Sequence, residues 1–128
     1  MNGNYLVDTS VIIALLKGDV RAVELFDQAD RIFIPAIVVG ELFYGAQNST
    51  KKQENMRIFR DFLSQYEIAG IDFSVAQEYG EIKSQLKKGG INVPENDLWI
   101  AAIAKSNQYT LISFDGHFVK INGLQILH

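Results

Sequence analysis

The sequence predicts an α/β fold, a three-layer α/β/α sandwich around a central, mostly parallel sheet. Three observations predict it. Short apolar runs alternate with longer stretches at helical spacing, the rhythm from which parallel sheets are built. The apolar runs do not alternate cleanly with polar residues, as expected of strands covered on both faces. Acidic residues follow two of these runs, and ligands of such folds gather beyond the carboxyl ends of the strands.

Tyr5-Leu6-Val7 is the first apolar run, followed at once by Asp8-Thr9-Ser10. Val11, Ile12, Leu15 and Leu16 then mark a helix that Thr9 or Ser10 can cap, since a hydroxyl accepts from the free amides of a first turn. Lys17-Gly18-Asp19 ends it, and Val20, Val23, Leu25 and Phe26 suggest a second, short helix. Ile32-Phe33-Ile34 is the next strand, stopped by Pro35. A helix over 36–47 carries Val38, Val39, Leu42, Phe43 and Ala46, and Asn48-Ser49-Thr50 breaks it. An amphipathic helix follows, with Met56, Phe59, Phe62 and Leu63 on one side and Lys51, Lys52, Arg57 and Arg60 mostly on another, most simply a solvated face. Ile68-Ala69-Gly70-Ile71 reads as a short strand, and Val75, Tyr79, Ile82 and Leu86 keep helical spacing up to the stop at Lys87-Lys88-Gly89-Gly90. Pro94-Glu95-Asn96 opens a strongly apolar helix with Leu98, Ile100, Ala101, Ile103 and Ala104. Thr110-Leu111-Ile112 and Leu124-Gln125-Ile126-Leu127 are the last strands.

The 128 residues fit one domain over 1–128, and 48 % apolar residues supply a real core. With no cysteine, disulfides, thiolate metal sites and cysteine nucleophiles are excluded. Met1-Asn2-Gly3-Asn4 lacks the basic-then-apolar pattern of a secretory leader, and Lys17 and Gly40-Glu41 interrupt the longest apolar runs too soon for a membrane span. A cytoplasmic protein is expected. The net charge of −3 argues against a module that coats nucleic acid. It argues less against a nuclease, because bound divalent cations reverse the local sign of an acidic site.

Asp8 closes the first strand and Asp115 follows the Thr110-Leu111-Ile112 strand, so parallel geometry brings both carboxylates to one edge of the sheet. Glu41 lies in the helix after the second strand, among Val38, Val39, Leu42 and Phe43. Asp97 lies in the first turn of its helix, where a carboxylate is favoured by the helix dipole. Singly, each has a plainer reading: a cap for Asp8, an ion-pair partner for Glu41, a first-turn acid for Asp97, a turn residue for Asp115. Together they need a counter-charge, because buried carboxylates cannot all stay ionised without one. An all-oxygen set suits Mg²⁺, with Mn²⁺ as the alternative. His117 and His128 read as surface residues, and Trp99 and the phenylalanines as core in preference to base-stacking platforms.

Four blocks of the chain, in order, resemble the PIN-domain ribonucleases, and among them the VapC-type toxins of toxin–antitoxin pairs. They are Tyr5 to Val11, Pro35 to Gly45 with its Glu41, Asn96 to Ala102 with its Asp97, and Leu111 to Phe118 with its Asp115. The resemblance spans nearly the whole chain. It implies that Asp8, Glu41, Asp97 and Asp115 hold one or two divalent cations, where an activated water attacks an RNA phosphodiester in line. It gives Ser113 a supporting role near the metal. Ser10 stands where the family frequently has Asn and can still donate a hydrogen bond. Phe114 stands where a polar residue is common, and its ring cannot replace one. The resemblance also implies a homodimer and a cognate VapB-type antitoxin, with Leu42, Phe43, Met56 and Phe59 as candidates for the groove that receives it.

Three other readings compete. A PIN-type nuclease acting in RNA processing without an antitoxin shares the chemistry. A receiver-like phosphoacceptor domain would need adjacent acids early in the chain, whereas Asp8 lies between Val7 and Thr9, and no Lys closely follows Ile112. A binding module that had lost activity would be expected to have lost an acid, and all four are present.

Overall fold

A computed structural model describes residues 3–127; Met1, Asn2 and His128 lie outside the described residues, and with them the expectation for His128. In chain order the elements are β1 (Asn4–Val7), α1 (Thr9–Leu16), α2 (Val20–Gln28), β2 (Arg31–Pro35), α3 (Ala36–Gln47), α4 (Lys52–Leu63), β3 (Glu67–Ala69), α5 (Phe73–Lys88), α6 (Glu95–Asn107), β4 (Thr110–Ile112), a 3-10 turn (Gly116–Lys120) and β5 (Ile126–Leu127).

The five strands form one sheet in the order β3-β2-β1-β4-β5, and every neighbouring pair is parallel. The chain runs outward from β1 through β2 to β3, then returns to the other side of β1 for β4 and β5. Parallel crossovers are right-handed, so this reversal puts the helices before β3 and those after it on opposite faces. It also opens a crevice at the carboxyl ends of β1 and β4, the switch point at which such sheets bind ligands.

Register fixes the two strand ends at that crevice. Leu6 pairs with Leu111 and Val7 with Ile112, and the Asp8 amide donates to the Ile112 carbonyl at 3.0 Å. The strands are short and apolar because both faces are covered: Leu6, Val7, Leu111 and Ile112 are fully buried. Ile100, Ala101, Ala102, Ile103 and Ala104 of α6 are equally buried. Each large aliphatic side chain so placed contributes about 1.5–3 kcal/mol over leaving it in water, and this core anchors the elements that carry the acids.

Four local expectations need correction, and so does the assignment of every phenylalanine to the core, since Phe73 is 83 % exposed and Phe114 36 %. The cap of α1 is Asp8, whose Oδ1 accepts from the Thr9 amide at 2.7 Å, and neither Thr9 nor Ser10 takes that role. β3 begins at Glu67 and leaves out Gly70 and Ile71, since Asp72 already caps α5 by accepting from the Val75 amide at 2.9 Å. β5 is confined to Ile126–Leu127, with Leu124 and Gln125 ahead of it. Leu42 is 2 % exposed and belongs to the core, which removes it from the groove candidates; Phe43, Met56 and Phe59 are half-buried. Among the described residues no helix is long and apolar enough to cross a membrane.

Candidate active site

Asp8 directly follows β1 and caps α1, so backbone geometry on both sides fixes its carboxylate in the crevice. It is 5 % exposed, and its Oδ2 accepts from Ser113 Oγ at 2.9 Å, with Ser10 Oγ a long contact at 3.5 Å. Ser113, itself buried, completes a relay: its Oγ accepts from the Asp115 amide at 2.9 Å while donating to Asp8. Ser10 Oγ likewise accepts from the Phe114 amide at 3.3 Å. Two hydroxyls thus fasten the loop after β4 to the end of β1.

Glu41 reaches this corner from α3. Its Oε1 accepts from Thr9 Oγ1 at 2.8 Å, joining it to the residue next to Asp8. Asp97 enters from the first turn of α6 and is 8 % exposed. Asp115 caps the 3-10 turn, accepting from the His117 amide at 2.9 Å. That turn swings the His117 ring back toward α6. Its Nδ1 hydrogen-bonds Asp97 Oδ2 at 3.0 Å and lies 3.0 Å from Asp115 Oδ1, within ion-pair range of that second carboxylate.

The electrostatics follow from this crowding. Burial pushes the Asp8 carboxyl up to about 6 from its ordinary 3.8. The Ser113 hydroxyl and the Thr9 amide pull it down, while Asp97 and Glu41 push it further up. Asp97 is also raised, first by burial and then by the charges of Asp115 and Glu41, against the hydrogen bond and charge of His117. The four acids therefore act on one another electrostatically even where their side chains do not touch.

This donor set fits a hard divalent cation. Asp97, Asp115 and His117 offer ligand atoms that all lie within 4.8 Å of one another. Asp8 and Glu41 stand outside that trio but within electrostatic reach of Asp97, each with lone pairs beyond those its hydrogen bonds use. His117 is the residue that sequence reasoning placed at the surface. Its side chain is part-exposed, yet it bridges two of the acids. The one available signal was its spacing, two residues after an acid in the loop that follows a strand, where a tight turn can fold it back.

An acid-rich crevice at the switch point of a five-stranded parallel sheet defines a class: an α/β protein with a carboxylate site beyond the strand ends, of a kind suited to a hard cation. The chain belongs to the PIN domain family, whose pattern it matches over residues 5–124. It is 36 % identical to "Ribonuclease VapC2" of Haemophilus influenzae over 113 residues, 85 % of this chain and 84 % of that one. It is 26 % identical to the "tRNA(fMet)-specific endonuclease VapC" of Shigella flexneri, over 94 % of each chain. The crystal structure of VapBC2 from Rickettsia felis bound to a DNA fragment from its promoter superposes with a TM-score of 0.89 at 28 % identity, over 98 % of both chains.

Proposed function

We propose that this chain is a divalent-metal-dependent endoribonuclease and the toxin half of a type II toxin–antitoxin pair. The observation that carries the reading is the buried Asp8 at the switch point, within electrostatic reach of Asp97 and Glu41 and linked through Ser113 to the backbone of Asp115. The ribonuclease names of the relatives and the VapBC assembly of the structural neighbour support it.

On this reading Asp8, Glu41, Asp97 and Asp115 hold the cation, Mg²⁺ or Mn²⁺, and His117 borders it. When bound, such an ion neutralises the phosphate and acidifies a coordinated water. The chain's own residues set the conditions for that chemistry. Ser113 orients the Asp8 carboxylate and ties it to the Asp115 backbone, so two ligands keep one geometry. Thr9 positions Glu41, and Ser10 steadies the loop at Phe114. The buried floor of Leu6, Val7 and Ile112 limits water to the open side. The partners of this reading are RNA, a VapB-type antitoxin and a second copy of the chain, and its setting is the cytoplasm. The single hydrophobic core supports one domain for the chain.

The test is induced expression with and without the antitoxin, paired with incubation of the purified protein with an RNA panel. Growth arrest relieved by the antitoxin, together with RNA cleavage abolished by chelator, is expected. Unimpeded growth and RNA left intact in Mg²⁺ and Mn²⁺ would overturn the reading.

A further inference from the structure

Beside the acids, a cavity of about 360 Å³ is lined by Asp19, Arg21, Ser113, Phe114, Asp115, Gly116, Val119 and Ile126. Ser113 and Asp115 belong to both places, so the cavity is continuous with the candidate active site. Its distinctive wall is Phe114. This ring is 36 % exposed, although the residues before it, Leu111, Ile112 and Ser113, are buried. Its backbone is pinned by the hydrogen bond from its amide to Ser10 Oγ. The Arg21 guanidinium sits 5.4 Å from the ring centroid and, among the described residues, joins no ion pair. Exposed Val119 adds apolar surface opposite the acids.

A part-exposed aromatic ring on a pinned backbone, with a guanidinium that lies over it and joins no salt bridge among the described residues, next to a phosphodiester-cleaving centre, matches how proteins hold an unpaired nucleotide. The base stacks on the ring while the cation meets the backbone phosphate. A cavity of this size falls at the lower end of the range for small-ligand sites. The rest of the site is acidic, so Arg21 is the positive charge placed to draw a phosphate toward it.

We propose that this cavity is a nucleobase subsite: Phe114 stacks the unpaired base of the nucleotide adjoining the scissile phosphate, and Arg21 contacts that nucleotide's phosphate. The inference rests on the nuclease reading and narrows it, because a base can enter only from a single-stranded or looped segment.

The experiment uses fluorescence anisotropy in the cleavage-deficient Asp8→Asn background, so that the strand survives. The probes are a labelled, mixed-sequence single-stranded oligoribonucleotide and the same strand made abasic at each position in turn. We expect Phe114→Ala to weaken binding of the intact strand about tenfold, the effect of losing one stacked base. We expect Phe114→Trp to retain it and Arg21→Ala to weaken it with a shallower salt dependence. One abasic position should weaken binding to the Phe114 protein and leave the Phe114→Ala protein unaffected. Equal abasic losses in both proteins, at every position, would overturn the subsite and leave the nuclease reading intact. An Asp8→Asn protein that binds no strand, with a parent protein that cleaves none in Mg²⁺ or Mn²⁺, would overturn both.

Discussion

Replacing Asp8 by Asn should stabilise the protein while abolishing its activity. At about 1.4 kcal/mol per pH unit, a carboxyl held near 6 in place of 3.8 costs the fold about 3 kcal/mol once it is ionised. The folded protein binds this proton more tightly than the unfolded chain. Its stabilising effect is therefore complete at pH values below 3.8, declines as pH rises, and is gone above about 6. Between pH 5 and pH 7 the loss from this group alone is about 1 kcal/mol. Asn is neutral at every pH, its carbonyl can accept from the Thr9 amide, and Ser113 can turn to accept from its amide. In chelator at pH 7, Asp8→Asn should therefore be about 1–3 kcal/mol more stable than the parent, a rise in Tm of about 3–10 °C for a chain of this size. Its stability should also change less between pH 5 and pH 7. Urea and thermal unfolding at several pH values measure both. A variant less stable than the parent at pH 7, or two parallel pH profiles, would refute the claim that Asp8 carries an ionisation cost built into the fold.

Other outcomes follow from the same geometry. Mg²⁺ or Mn²⁺ should raise Tm, by the equivalent of about 2.7 kcal/mol at a hundred times Kd, and chelator should reverse it in differential scanning calorimetry. Because ligands must be ionised to bind metal, calorimetric affinity should strengthen as pH rises through about 6 and then level off. Ser113→Ala removes the donor to Asp8 and the acceptor for the Asp115 amide, and should cost about 1–3 kcal/mol in urea unfolding while raising the pH at which activity appears. Glu41→Gln can still accept from Thr9, so it should keep the parent's Tm while losing metal affinity in titration calorimetry. His117→Ala should lower stability in chelator by about 1 kcal/mol, read by urea unfolding, as Asp97 loses the ring hydrogen bond and the neighbouring Asp115 loses a close imidazole.

The parts of the fold and site that depend on short-range pattern were legible in the sequence. Leu6-Val7 and Leu111-Ile112 announced central strands because both faces of a parallel sheet must be apolar, and that placed Asp8 and Asp115 at one edge. Glu41 and Asp97 were suggested by resemblance, since nothing in a helix's own periodicity says that it meets another helix at a strand end. Leu42 and Phe43 are adjacent on α3 and equally apolar, and only tertiary packing makes one core and the other half-buried. His117 escaped for the same reason. Its partner Asp97 lies 20 residues earlier, and the contact exists only because a 3-10 turn folds the loop after β4 toward α6. Phe114 was legible as a departure from the family pattern, and its exposure and its neighbour Arg21 became visible only in three dimensions.

The most direct test of a shared carboxylate site is RNA cleavage by the parent and by Asp8→Asn, Glu41→Gln, Asp97→Asn and Asp115→Asn, with folding checked by circular dichroism. We expect Mg²⁺- or Mn²⁺-dependent cleavage by the parent, silenced by chelator and lost or sharply reduced in each folded variant. Cleavage that persists undiminished in chelator, or in the folded Asp8→Asn and Asp115→Asn proteins, would contradict it.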